Sequence, residues 1–134
     1  MDNTWEAAIR QIVNHEIVYH HFGHWPTFHA AEVTKVIFET HTTGRYSVTA
    51  VLEPDRNIHY VGGTPPDHPK PCRIELQFTG VQEWSFANFG VQNALEELWF
   101  EERGGALAAF FVSSSGMKAT IVADEVLVLS LVVL

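Results

Sequence analysis

Basic side chains and cysteine are both scarce in this chain, and each shortage narrows what it does. Lys and Arg together number 8 against 16 Asp and Glu, a formal net charge of -8. That excess of carboxylates repels phosphate backbones and anionic lipid, so nucleic acid and membrane surfaces are poor partners. A basic protein is the partner such a field attracts. The single cysteine, Cys72, rules out an internal disulfide and any multi-cysteine zinc site. It fits a reducing compartment. Long apolar runs are missing too: Val126 to Leu134, the greasiest stretch, falls far short of the roughly 20 residues a membrane-spanning helix needs. Met1 to Glu6 has neither a basic start nor an apolar segment, so a signal peptide is not expected and a cytoplasmic location is.

What remains is a globule. Hydrophobic residues make up 46% and charged residues 18% of the 134 positions, a composition that folds rather than staying disordered. The length suits one core, so residues 1–134 are expected to form a single domain. Asn3 and Glu6 have capping-box spacing, and Trp5, Ala8, Ile9, Ile12 and Val13 recur on one helical stripe. Asn14 ends or kinks that helix, and His15 to Phe22 continues as a second one stopped by Gly23.

From Glu32 the period changes to two. Val36 and Phe38 alternate with Lys35, Ile37 and Glu39; His41 to Gly44 is a hairpin connection; Tyr46, Val48, Ala50 and Leu52 alternate after it. Pro54 to Pro71, with five prolines and Gly62-Gly63, reads as a long surface loop. Ile74, Leu76 and Phe78 mark a further strand, and Trp84 and Phe86 another beyond a turn at Gly80. Gln92 to Glu102 fits helix or strand, with strand favoured; Leu107 to Ser113, Met117 to Ala123 and Glu125 to Val133 complete the set. The last of these is apolar on both sides, which predicts burial of both faces. The expected fold class is α+β: an N-terminal helix or helix pair packed on a mostly antiparallel sheet of about seven or eight strands.

Chemistry-bearing residues concentrate between Tyr19 and Glu32, where His20, His21, His24 and His29 crowd beside a carboxylate. Imidazole and carboxylate suit zinc. Yet His20, His21 and His24 fall on different sides of any helix or turn, and no His-Glu-x-x-His frame is present. No metal and no cofactor are therefore expected. His29 and Glu32 are read as local hydrogen-bonding groups that fix a turn, with Trp25 and Phe28 plugging the helical layer onto the sheet. Cys72 has no histidine partner pattern and reads as a small core residue starting a strand. Ser113 to Gly116 is turn chemistry without the nucleophile-elbow pattern, and the paired glycines lack the lysine of a phosphate loop. No catalytic residue is assigned. The carboxylates Glu96, Glu97, Glu101 and Glu102 form either a solvated face or a landing site for a basic partner.

The string Phe22-Gly23-His24-Trp25-Pro26-Thr27-Phe28-His29-Ala30-Ala31-Glu32-Val33 resembles a motif of the immunity protein 50 family of bacterial polymorphic toxin systems. That motif runs Phe-Gly-x-Trp-Pro-Ser-Phe-His-Asp-Ala-Glu-Val and leads into a strand. Ile74 to Val81, and Phe89 to Asn93 with its Gln92-Asn93 pair, are similar to later blocks of the family. Thr27 replaces a Ser and keeps the hydroxyl; Ala30 replaces an Asp and removes a carboxylate. The second change speaks for a structural turn rather than a catalytic acid. The resemblance implies an α+β protein encoded beside a toxin that it neutralises by direct binding. Two other readings stand beside it: a small metal-dependent or ligand-binding enzyme using His29 and Glu32, and a homo-oligomeric scaffold joined through the apolar C-terminal strand.

Overall fold

A computed structural model describes residues 4–42, 44–58 and 61–134, with Thr4 described by its backbone alone. The Asn3 cap therefore lies outside the described residues, as does Thr43 of the hairpin connection. Among the described residues, two short helices, α1 (Thr4–Arg10) and α2 (His15–Phe22), precede six strands: β1 (Glu32–Thr40), β2 (Tyr46–Glu53), β3 (Cys72–Ala87), β4 (Glu97–Arg103), β5 (Ala106–Val112) and β6 (Lys118–Val133). They form one sheet in the order β1-β2-β3-β6-β5-β4, every neighbouring pair antiparallel.

The α+β class matches expectation; the strand number does not. The sequence predicts a turn at Gly80 and a break at Asp124, which would split two long strands into four. In the structure β3 and β6 each run 16 residues without interruption. Gly80 and Asp124 face each other across them, between the pairs Thr79–Glu125 and Val81–Ala123. A Cβ on Gly80 would stand 2.3 Å from Asp124 Oδ2, and its φ of +63° lies in the left-handed region. The glycine is a close-approach residue inside a strand rather than a turn. Beside it the register shifts between Val81 and Glu83.

The two long strands carry a sheet in two offset halves. β2 pairs only with the first half of β3, up to Thr79, and carries β1 on its other edge; β5 pairs with β6 only from Ala119 to Ala123 and carries β4 on its other edge. Beyond Ala123 the free side of β6 is taken by the junction of the two helices. Val13 N–H donates to Val126 O at 2.9 Å, Val128 N–H donates to Val13 O at 2.9 Å, and Asn14 Nδ2 donates to Val128 O at 3.3 Å. Asn14 adopts φ 63°, a conformation asparagine tolerates better than most residues, and this redirects the chain from α1 into α2. Val13 is thus a backbone bridge; its side chain is exposed rather than part of the helical stripe, whose Ala8, Ile9 and Ile12 are buried.

One core joins the helices to the inner face of the sheet. Ile74, Leu76 and Phe78 of β3 share one cluster with Val48, Ala50 and Leu52 of β2, Val126 and Val128 of β6, and Leu98 and Phe100 of β4. Burial of both faces of β6 is not found. Leu129 and Val132 are 48% and 52% exposed, because no described segment covers the outer face there. A bulge also swaps the sides. Ser130 pairs with Glu75 but Val128 with Leu76, so Leu129 is an extra residue, and Leu131 rather than Val132 packs against the core.

Candidate functional site

α2 ends at Gly23, whose N–H donates to Tyr19 O at 2.8 Å from a left-handed conformation that glycine adopts without steric cost. The chain then turns inward. Trp25 and Phe28 are buried, their rings edge-to-face at 5.8 Å, and Trp25 meets Phe100 of β4 at 6.0 Å. The Trp25 indole N–H is buried with no hydrogen-bond partner among the described residues. Phe28 and Ala30 both take positive φ, 60° and 67°, so two of three successive residues sit where L side chains are strained. His29, between them, is exposed and donates from Nδ1 to the backbone carbonyl of Glu96 at 3.0 Å.

Glu32 is buried, and both carboxylate oxygens are engaged: the Asn93 amide N–H donates to Oε2 and Asn57 Nδ2 donates to Oε1 at 2.9 Å. Asn57 also donates to Ala30 O at 3.1 Å. Backbone pairs sew the same two segments together: Ala30 N–H to Leu95 O at 2.8 Å, Leu95 N–H to Ala31 O at 2.9 Å, Val33 N–H to Asn93 O at 3.0 Å and Leu98 N–H to Thr27 O at 2.9 Å. Asn93 in turn accepts from Gly90 N–H at 2.9 Å and Met117 N–H at 3.2 Å. A Cβ on Gly116 would lie 2.8 Å from Asn93 Cα, so this approach requires glycine. The arrangement is a buried polar latch whose groups satisfy one another. His29 and Glu32 turn to different partners and do not converge on one point. Asn57, Asn93 and Gly116 were not singled out in the sequence as site residues. Asn93 carried a faint signal in the Gln92-Asn93 pair, whereas Asn57 is one polar residue in a long loop.

Two segments separated by some sixty positions therefore close on a single carboxylate. The family model described as immunity protein 50 matches residues 14–133. The chain belongs to the immunity protein 50 family. No curated protein and no solved structure matches it. In this family member the match begins at the Asn14 junction and runs through β6, so it takes in the whole sheet and α2.

The remaining sequence candidates are dispersed. Glu97 and Glu101 share one face of β4, Glu102 lies on the other, and Glu96 precedes the strand. Glu101 accepts from Arg103 Nη2 at 3.0 Å. His21 donates to Lys70 O at 2.8 Å and His24 to Phe22 O at 3.2 Å, while His15 Nδ1 donates to Ile12 O at 2.9 Å. His15, His20 and His24 rim an open cleft of about 610 Å³ between the helices, with Trp5, Arg10 and Trp25 also in its wall. Among the described residues, no three His, Cys, Asp or Glu side chains are grouped to share a metal ion. Cys72 is buried at the start of β3; burial, with the nearby Asp55 carboxylate, pushes its thiol up to about 11. A thiol held protonated is a poor nucleophile. No described helix is long and apolar enough to cross a membrane.

Proposed function

We propose that the chain is a non-catalytic binding protein that neutralises a cognate bacterial toxin by direct contact. The observation that carries this reading is the match to the immunity protein family over residues 14–133. Two features support it. Glu32, the carboxylate best placed by the motif to do chemistry, spends both oxygens on Asn57 and Asn93. The net charge of -8 favours encounter with a basic toxin domain. In this reading Trp25, Phe28, His29 and Glu32 build the scaffold, and Glu96, Glu97, Glu101 and Glu102 contribute to the attraction of the partner.

The test is expression of the toxin domain encoded beside this gene, with and without the protein. Rescue of growth together with a complex of the two purified chains is the expected result. Rescue without a complex, or turnover of a toxin-derived substrate by the protein, would overturn the occlusion reading.

A further inference from the structure

The sheet has two overhangs, and described segments cover only one. Where β6 runs on beyond the last β5 pair, Val13 caps its edge with two backbone hydrogen bonds. Where β3 runs on beyond the last β2 pair, Ser47–Thr79, nothing equivalent is found: the backbone from Gln82 to Ala87 bonds β6 on one side and no other described segment. Gln82 to Ser85 and Ala87 are all exposed. An open edge of this kind presents a row of free N–H and C=O groups to any extended chain.

Beside that edge stands an aromatic cluster. Phe38 of β1 meets Trp84 and Phe86 of β3 at ring-centroid distances of 5.3 Å each, and Trp84 meets Phe86 at 5.8 Å. Phe38 is 50% and Trp84 49% exposed, so the rings pack on one another while leaving half their surface to water. Exposed tryptophan and phenylalanine at a sheet edge are the side chains that dominate interface energetics when covered. Glu39 and Glu83, each next in sequence to one of these rings, are exposed and form no ion pair with a described residue. Arg45 is held by Asp124 at 3.1 Å, and Lys118 sits opposite Ala87 at the far end.

We infer that the overhanging edge of β3, Gln82 to Ala87, with the Phe38–Trp84–Phe86 cluster, receives an extended segment of a basic protein partner as an added strand. The side chains of β3 alternate, with Trp84 and Phe86 toward the aromatic cluster and Glu83 and Ser85 toward the opposite face. The matching segment has apolar residues at alternate positions and Lys or Arg between them. A second copy of the chain fits poorly, since it would set Glu39 and Glu83 against their own duplicates on a molecule of net charge -8. This inference rests on the toxin-binding reading and names the surface that does the binding.

Hydrogen exchange of the intact chain, alone and with the toxin domain encoded beside it, tests the edge directly. Amides between Gln82 and Ala87 are expected to gain protection in the complex. In parallel, the double variant Phe38→Ala, Trp84→Ala is expected to bind that domain roughly 30-fold or more weakly, chiefly through faster dissociation. Glu83→Lys is expected to weaken it further while leaving melting nearly unchanged, and it serves where the double variant folds poorly. A complex of undiminished affinity, with protection elsewhere and none on β3, would overturn the surface while leaving the toxin-binding reading intact. Absence of any complex with the wild-type chain would remove both. Protection of the edge in the chain alone, rising with its own concentration, would assign the surface to self-association and overturn the hetero-partner.

Discussion

Ala30 occupies a left-handed conformation, φ 67°. An aspartate tolerates that region through local hydrogen bonding, and an alanine carries the full Cβ clash. The backbone there is locked by the Ala30–Leu95 bond and by Asn57 on its carbonyl, so it cannot relax. Ala30→Gly should therefore stabilise the protein by about 0.5–1 kcal/mol, read as a higher denaturant midpoint with an unchanged slope. A loss of stability would show that the Ala30 methyl packs usefully. Cys72 makes a second residue-scale prediction. Its thiol is raised from 9.0 to about 11 by burial and then by Asp55, so folding favours the protonated form. The stability this gives is complete below the unfolded thiol pKa and falls as pH rises from about 9 to about 11. Cys72→Ala should flatten that part of the stability profile, and native Cys72 should resist alkylation at pH 8 until the chain is unfolded.

At the scale of elements, the long strands depend on one close approach. Asp124 fills the space over Gly80, where it accepts from Arg45 at 3.1 Å and from Gln82 at 2.7 Å. Gly80→Ala would place a methyl into that carboxylate and a Cβ into a positive-φ position at once. A cost of about 1–3 kcal/mol is expected. In an Asp124→Ala background the same substitution should cost less, because the carboxyl group is gone and only the close approach of the Cβ at position 124, at 3.0 Å, and the backbone strain remain. A double-mutant cycle on thermal or denaturant unfolding measures the difference, and full additivity would separate the two residues. The exposed Arg45–Asp124 ion pair itself contributes little by comparison, with the side chains 70% and 45% accessible.

For the whole molecule, charge governs approach. An excess of sixteen acidic over eight basic side chains produces a field that speeds encounter with a basic partner and is screened over about 8 Å at physiological ionic strength. Changing Glu96, Glu97, Glu101 and Glu102 together to Gln should slow association with the toxin domain more than it hastens dissociation. Glu101 is held by Arg103, so Glu101→Gln alone should have the least effect of the four. Stopped-flow mixing at two salt concentrations checks this: a salt-independent rate would remove the electrostatic account. The aromatic edge of β3 answers to the other rate, dissociation, which keeps the two contributions separable.

Local periodicity was enough to place α2 with its Gly23 stop, the Asn14 break, the β1 and β2 strands and the α+β class, because each depends on residues close in the chain. The motif from Phe22 to Val33 was enough to point to the family, and the position of Trp25 and Phe28 between α2 and the first strand was enough to place them, both buried, between the helical layer and the sheet. Contacts between distant residues were not legible in this way. Gly80 has the same local signature whether it turns a chain or makes room for Asp124, and only the partner strand decides between them. A bulge at Leu129 exchanges inside for outside without any change in the alternating pattern that precedes it. Asn57 gains its meaning from Glu32, twenty-five residues earlier, and the open edge of β3 exists only because β2 ends at its pair with Thr79. Which strand edges are covered is a property of the assembled sheet, since a backbone N–H carries no trace in sequence of whether another strand lies beside it.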